Sequence, residues 1–220
     1  MIVALLGAES TGKTDLALGL ADRARALGLR ARAVEEYLRE FCDRQGRTPR
    51  PEEQWHIAEE QTRRILAAVS AHDLVFADTT AVMTAVYSDL LFDDPSLYEH
   101  AFEAHRHCSL TLVTGLDLPW APDGIQRDGP HMRVPIDARL RQRLQAAGVV
   151  YGVVYGRDTD RLDAAWRVVE TALRAQGRLA GPDPAGDTAS SRLQPWCREC
   201  LVPECEHLLL RRLLDPPSSR

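Results

Sequence analysis

Apolar residues fall along the chain in two alternating rhythms. Short runs at 2–6 (Ile2-Val3-Ala4-Leu5-Leu6), 74–77 (Leu74-Val75-Phe76-Ala77) and 110–113 are nearly continuous, as suits strands buried on both faces of a parallel sheet. Between them, apolar positions recur at helical spacing over 14–27, 52–71, 81–91, 96–107, 135–147 and 158–175. Strands at 30–34 and 149–154 complete the set. Gly28 stops the first helix, and Pro51 with Glu52 and Glu53 marks the start of the second. Strands that alternate with helices predict an α/β domain over 1–178: a parallel five-stranded sheet flanked by helices. The stretch 116–134 is rich in Pro, Gly, Asp and Arg and reads as a long loop. The Pro/Gly/Ser-rich stretch 179–195 reads as a flexible linker ahead of a short Cys-rich tail, 196–220.

The first strand runs directly into Gly7-Ala8-Glu9-Ser10-Thr11-Gly12-Lys13-Thr14 and then into a helix. This is the context that a phosphate-binding P-loop requires. Gly7 and Gly12 let the backbone turn its N–H groups inward, so Gly7, Ser10, Thr11, Gly12, Lys13 and Thr14 are the expected nucleotide contacts. Lys13 is expected at the β- and γ-phosphates of ATP or GTP, and Thr14 on Mg²⁺. Composition sharpens the point. Of 27 basic residues, Lys13 is the only lysine, and every other one is arginine. A compact ammonium fits beside the phosphates where a planar guanidinium does not.

Asp78 ends the third strand, where a P-loop fold places the acidic partner of Mg²⁺; it could equally cap the next helix. Glu35 and Glu36 end the second strand, expected beside the first. There a carboxylate could orient or deprotonate an acceptor hydroxyl, or stand as a solvated charge pair. Arg39 could pair with either glutamate or bind substrate phosphate. In the long loop, Arg127 and Arg133 could supply positive charge to phosphoryl transfer, and Trp120 could stack on a flat ring or pack the loop base. In the tail, Cys197, Cys200, Cys205 and His207 have C-x2-C-x4-C-x-H spacing, which could complete a zinc shell or reflect chance clustering.

A formal net charge of -5 and a pI near 5.8 give no overall attraction to nucleic acid or to an anionic membrane. No apolar run approaches bilayer length, and no basic leader opens the chain, so a soluble cytoplasmic protein is expected. Five cysteines, two of them isolated, do not form a disulfide framework.

With these residues in view, the chain resembles the ribosylnicotinamide kinase domain of NadR-type proteins, within the AAA-like P-loop ATPases. The likeness is carried by the Gly-x4-Gly-Lys-Thr loop, Glu36-Tyr37-Leu38-Arg39-Glu40, Ile57-Ala58-Glu59-Glu60-Gln61, Asp78-Thr79, and Pro119-Trp120-x2-Asp123-Gly124 followed by Arg127. It implies ATP- and Mg²⁺-dependent phosphorylation of the 5′-hydroxyl of nicotinamide riboside. Lys13, Thr14 and Asp78 would then hold ATP and Mg²⁺, Glu36 and Tyr37 would lie near the substrate, and Trp120 and Asp123 would bound its base. The adenylyltransferase that full-length relatives carry ahead of the kinase is not expected, since the P-loop begins at residue 7. The stretch 125–130 is longer than the family's Asp-Gly-x-Arg form, and the Cys tail is outside the family pattern. A contrasting expectation is a regulatory ATPase whose nucleotide state a protein partner reads through that tail.

Overall fold

A computed structural model describes residues 1–121 and 129–179. Asp123, Arg127, the linker beyond 179 and the Cys-rich tail with Cys197, Cys200, Cys205 and His207 lie outside the described residues. The sheet has five parallel strands: β1 (Ile2–Leu6), β2 (Ala31–Val34), β3 (Leu74–Asp78), β4 (Leu110–Thr114) and β5 (Gly152–Val154), in the order β2-β3-β1-β4-β5. The helices are α1 (Lys13–Ala26), α2 (Tyr37–Gln45), α3 (Gln54–Val69), α4 (Ala81–Phe92), α5 (Tyr98–His105), α6 (Arg133–Ala146) and α7 (Asp158–Ala175).

Every residue of β1 and β3 is buried, because helices cover both faces. Strand periodicity divides the side chains between them. Val3, Leu5, Leu74 and Phe76 pack with α1 and α7 through Leu16, Leu20, Trp166 and Val169. Ala4 and Leu6 face the other way, with Val82 and Val86 of α4 and Ile136, Leu140 and Leu144 of α6. Burying a leucine such as Leu20 or Leu140 contributes about 1.5–3 kcal/mol, so the two layers hold the sheet rigid beneath its carboxyl edge.

Two expectations need correction. β2 does not lie beside β1, because β3 sits between them, paired to β1 from Ile2↔Val75 to Leu5↔Asp78. Asp78 is thus the direct neighbour of the P-loop strand, and the Glu35-Glu36 strand end stands one strand further out. Second, residues 37–45 form a helix that strand-end chemistry concealed. Tyr37, Phe41 and Cys42 are its buried face, and Gly46, at φ 66°, closes it in a left-handed turn.

Candidate phosphate and acceptor site

The carboxyl edge of β1 delivers Gly7 at φ 145°, a conformation that only glycine adopts readily. A Cβ there would lie 2.2 Å from Thr114 Oγ1, so the loop packs against β4 with no room for a side chain. Thr11 Oγ1 donates to Ala8 O (2.7 Å) and stands 2.6 Å from Thr114 Oγ1, tying the loop's inner turn to the same strand. Gly12, at φ 71°, caps α1 without a side chain, so the first N–H groups of that helix face a cavity of about 530 Å³. Gly7, Glu9, Ser10, Thr11, Gly12, Lys13, Thr14 and Asp15 line it from one side. Orphan amides and a helix N-terminus make this an anion site by construction. Lys13 Nζ donates to Ala8 O (2.8 Å), curling over the loop.

Asp78 is 2% exposed. Its Oδ2 accepts the Thr14 hydroxyl at 2.6 Å, while Oδ1 has no hydrogen-bond partner among the described residues. Burial pushes its carboxyl pKa up, against the pull of Lys13, the Thr14 hydroxyl and Arg39. A buried carboxylate oxygen without a donor, beside the P-loop hydroxyl, is the donor set that a small hard cation takes. The residues present therefore fit Mg²⁺.

The next residue is strained. Thr79 is β-branched yet has φ 67°, at a cost of about 1–3 kcal/mol. Its N–H donates to Leu5 O (3.1 Å), and Gln61 Nε2 reaches the carbonyls of Thr79, Asp78 and Glu35, each at 3.4 Å. Gln61 Oε1 accepts the Tyr37 N–H at 2.7 Å. This one buried amide of α3 thereby joins the ends of β2 and β3 to the start of α2. It stands in the Ile57–Gln61 segment, but nothing in the sequence marks it as a structural hub.

Glu36 lines the phosphate cavity together with Leu38, Arg39 and Tyr87, whereas Glu35 does not. Glu36, Leu38 and Tyr87 also line a second cavity of about 280 Å³, with Thr48, Pro49, Gln54, Ile57, Gln61, Thr79, Met83, Thr84, Leu91 and Phe92. The two cavities thus meet at Glu36. Tyr37 lines neither. Its ring is buried, with the Arg64 guanidinium 4.4 Å from the centroid, and its hydroxyl accepts from Arg44 (2.8 Å).

The long loop begins against the P-loop. Ser10 Oγ donates to Ala121 O (2.7 Å), and Gly129 N donates to Glu9 Oε1 (3.1 Å). Leu118, Pro119 and Ala121 wall the phosphate cavity, while Trp120 does not; its Nε1–H is buried without an acceptor among the described residues. Arg133 does not line either cavity. It is buried at the start of α6 and donates to Leu118 O (2.8 Å) and Leu116 O (3.4 Å), fixing the loop's root.

Arg161 of α7 carried no sequence signal. It is 4% exposed and donates to Gly156 O (2.7 Å), Thr11 O (3.0 Å), Gly115 O (3.2 Å) and Asp117 Oδ1 (3.1 Å). Asp117 Oδ2 in turn accepts the Gly156 N–H at 2.7 Å. One guanidinium therefore clamps the P-loop to the segments that leave β4 and β5.

A P-loop at the carboxyl edge of a parallel sheet, with an acid on the adjacent strand, defines a nucleotide-binding protein of the P-loop class. The chain belongs to the AAA domain family, whose model matches residues 2–161. No curated protein matches it. Among solved structures it is similar to NadR protein in complex with NAD and AMP-PNP (21% identity, TM-score 0.62, 82% of this chain and 50% of that one). NadR in complex with NR gives the same identity and TM-score, over 82% and 52%. Deoxyadenosine kinase from M. mycoides, with products dCMP and a flexible dCDP bound, matches at 12% identity and TM-score 0.52, over 78% and 100%. At these identities the likeness is one of fold. The chain spans about half the length of the NadR structures it matches. No described helix is long and apolar enough to cross a membrane.

Proposed function

We propose that this protein is a small-molecule kinase that transfers the γ-phosphoryl group of ATP to the 5′-hydroxyl of a nucleoside, with nicotinamide riboside as the first acceptor to test. The observation that carries the reading is the second cavity, which meets the phosphate cavity at Glu36. A protein that only hydrolyses nucleotide has no use for a walled acceptor site next to the terminal phosphate. The fold shared with NadR, one of whose structures holds NR, supports the choice of acceptor.

Lys13 and the first-turn amides of α1 hold the phosphates. Thr14 and Asp78 would hold Mg²⁺, which when bound neutralises charge on the β- and γ-phosphate oxygens. Glu36 orients the acceptor hydroxyl and takes its proton as the oxygen attacks phosphorus. Arg39, on the wall of the phosphate cavity, adds positive charge beside the transferring group. Arg127 and Asp123 retain the roles expected from the loop pattern, charge at the phosphates and a boundary to the base; Trp120 lines neither cavity and is given no role at the base.

A panel of nucleosides with Mg-ATP, scored by ADP release and by a new phosphorylated product, tests the reading. Product from one nucleoside class that disappears in Lys13→Ala supports it. Slow hydrolysis insensitive to every nucleoside rules it out and favours the regulatory ATPase. Zinc in the tail rests on the spacing of Cys197, Cys200, Cys205 and His207 alone. Metal analysis of the purified full chain should find about one zinc, lost on Cys197→Ser; zinc-free protein ends that proposal.

A further inference from the structure

The second cavity has apolar walls at Ile57, Met83, Leu91 and Phe92 and a comparable number of polar side chains. Two of those groups are glutamines of α3, seven residues apart and so on one face of the helix. Gln61 is fully engaged: its Oε1 accepts from the Tyr37 N–H, and its Nε2 points at three backbone carbonyls. Gln54 differs. It is 4% exposed and lines the same cavity, yet neither end of its carboxamide hydrogen-bonds to any described residue.

Its carboxamide is not among the fully buried polar atoms without partners, so it opens onto the cavity, where a ligand can replace solvent at both of its ends. A ligand in the cavity that presents an acceptor to Nε2 and a donor to Oε1 replaces both solvent contacts at once, whereas one that presents neither leaves them unmade. We propose that Gln54 is the specificity-determining residue of the acceptor cavity, and that it reads a ring edge carrying a hydrogen-bond donor and acceptor side by side. A carboxamide or a cyclic amide has such an edge. A carboxylate offers two acceptors and no donor, so it sets its charge against Oε1, while an unsubstituted ring leaves both ends of Gln54 unsatisfied. The apolar walls hold the ring itself, and Gln54 sorts its substituent. This assignment rests on the nucleoside-kinase reading above.

The test measures kcat/KM of the full chain with Mg-ATP for nicotinamide riboside, nicotinic acid riboside, unsubstituted pyridine riboside, uridine and inosine, in the wild type, Gln54→Leu and Gln54→Glu. The wild type should prefer amide-edged acceptors over the acid and the bare ring by at least about tenfold, since a site built to hydrogen-bond discriminates strongly against analogues lacking the group. Gln54→Leu should lose about 10- to 100-fold on those acceptors, chiefly through KM. Its activity on pyridine riboside should not fall, and its KM for ATP should not change. Gln54→Glu should lose the amide-edged acceptors too and should not gain the acid. Thermal unfolding of Gln54→Leu should match the wild type, because no described protein group depends on the Gln54 side chain. Equal wild-type activity on amide and acid, or an equal loss on amide and bare ring in Gln54→Leu, overturns the proposal. If no riboside is phosphorylated at all, the nucleoside reading itself fails and takes this assignment with it.

Discussion

Replacing Arg161 by methionine keeps most of the buried stem and removes the guanidinium. Four contacts vanish together: the carbonyls of Thr11, Gly115 and Gly156, and the Asp117 carboxylate. Each charge-assisted bond is worth about 1.5–3 kcal/mol. The four cannot simply be added, because they share one donor and its single desolvation. Asp117 stays in contact with water and keeps the Gly156 N–H, so the more relevant magnitude is the three carbonyls that lose their donor, about 3–5 kcal/mol together. Against a typical total of about 5–15 kcal/mol this is severe. With a urea m-value of about 2 kcal/mol/M, the unfolding midpoint should fall by about 1.5–2.5 M, followed by tryptophan fluorescence. Arg161→Lys should lie between, because one ammonium cannot serve three carbonyls and a carboxylate in the geometry of a planar fork. Because Thr11 is in the P-loop, KM for ATP should rise in the lysine variant even where it remains folded. A midpoint change below about 0.5 M in Arg161→Met would mean that the clamp is not holding these segments.

Gly7→Ala must place a Cβ 2.2 Å from Thr114 Oγ1 at φ 145° and should cost about 2–5 kcal/mol, measured by urea unfolding. Adding Thr114→Ala should recover part of the loss, leaving the backbone strain; no recovery would place the whole cost in the backbone. Asp78 has a raised carboxyl pKa, so its ionised form opposes folding, and that cost is relieved as pH falls through the folded value. Asp78→Asn should therefore raise the melting temperature at pH 7 while lowering turnover about 100-fold or more, with a smaller effect on ATP binding; a lower melting temperature contradicts the electrostatic argument. Burial holds the His105 imidazole down at about 4, hydrogen-bonded to Thr111 at 2.9 Å. The unfolded chain takes up its proton first, so stability present above pH 6.5 is lost as pH falls from about 6.5 towards 4, by up to about 3 kcal/mol. His105→Gln should flatten that part of the pH–stability curve, and an unchanged slope would assign the acid sensitivity to other groups.

The strands were readable because burial on both faces leaves only apolar runs, and the P-loop because its geometry restricts residue type at fixed spacing. Lys13, Thr14 and Asp78 belong to that readable part: each sits at a strand end or a helix start, where local sequence dictates position. Sheet order did not follow from the runs themselves, since β1 could pair with either β2 or β3 and only packing over the whole sheet decides between them. α2 was obscured by Glu35-Glu36 at the preceding strand end, although Tyr37 and Phe41 at i and i+4, with Gly46 beyond, carried its signal. Arg161 had no such signal. It is one arginine among many on a helix, and its burial is created by Thr11 and Gly115, which are 150 and 46 residues away. Gln54 and Gln61 were likewise indistinguishable in sequence, since one side chain finds its partners at the ends of β2 and β3 and at the start of α2, and the other finds none among the described residues.

The meeting of the two cavities at Glu36 also bears on how such a protein can change. The lining of the phosphate cavity comes mostly from residues 7–15 and 118–121, whereas that of the second cavity comes mostly from 48–61 and 79–92. On the proposed kinase reading, substitutions in the latter segments alter which alcohol is presented without redrawing the cradle that presents the nucleotide. Over evolutionary time the acceptor can drift while the donor stays fixed, so a descendant of this scaffold would be expected to inherit its nucleotide and to acquire its own substrate.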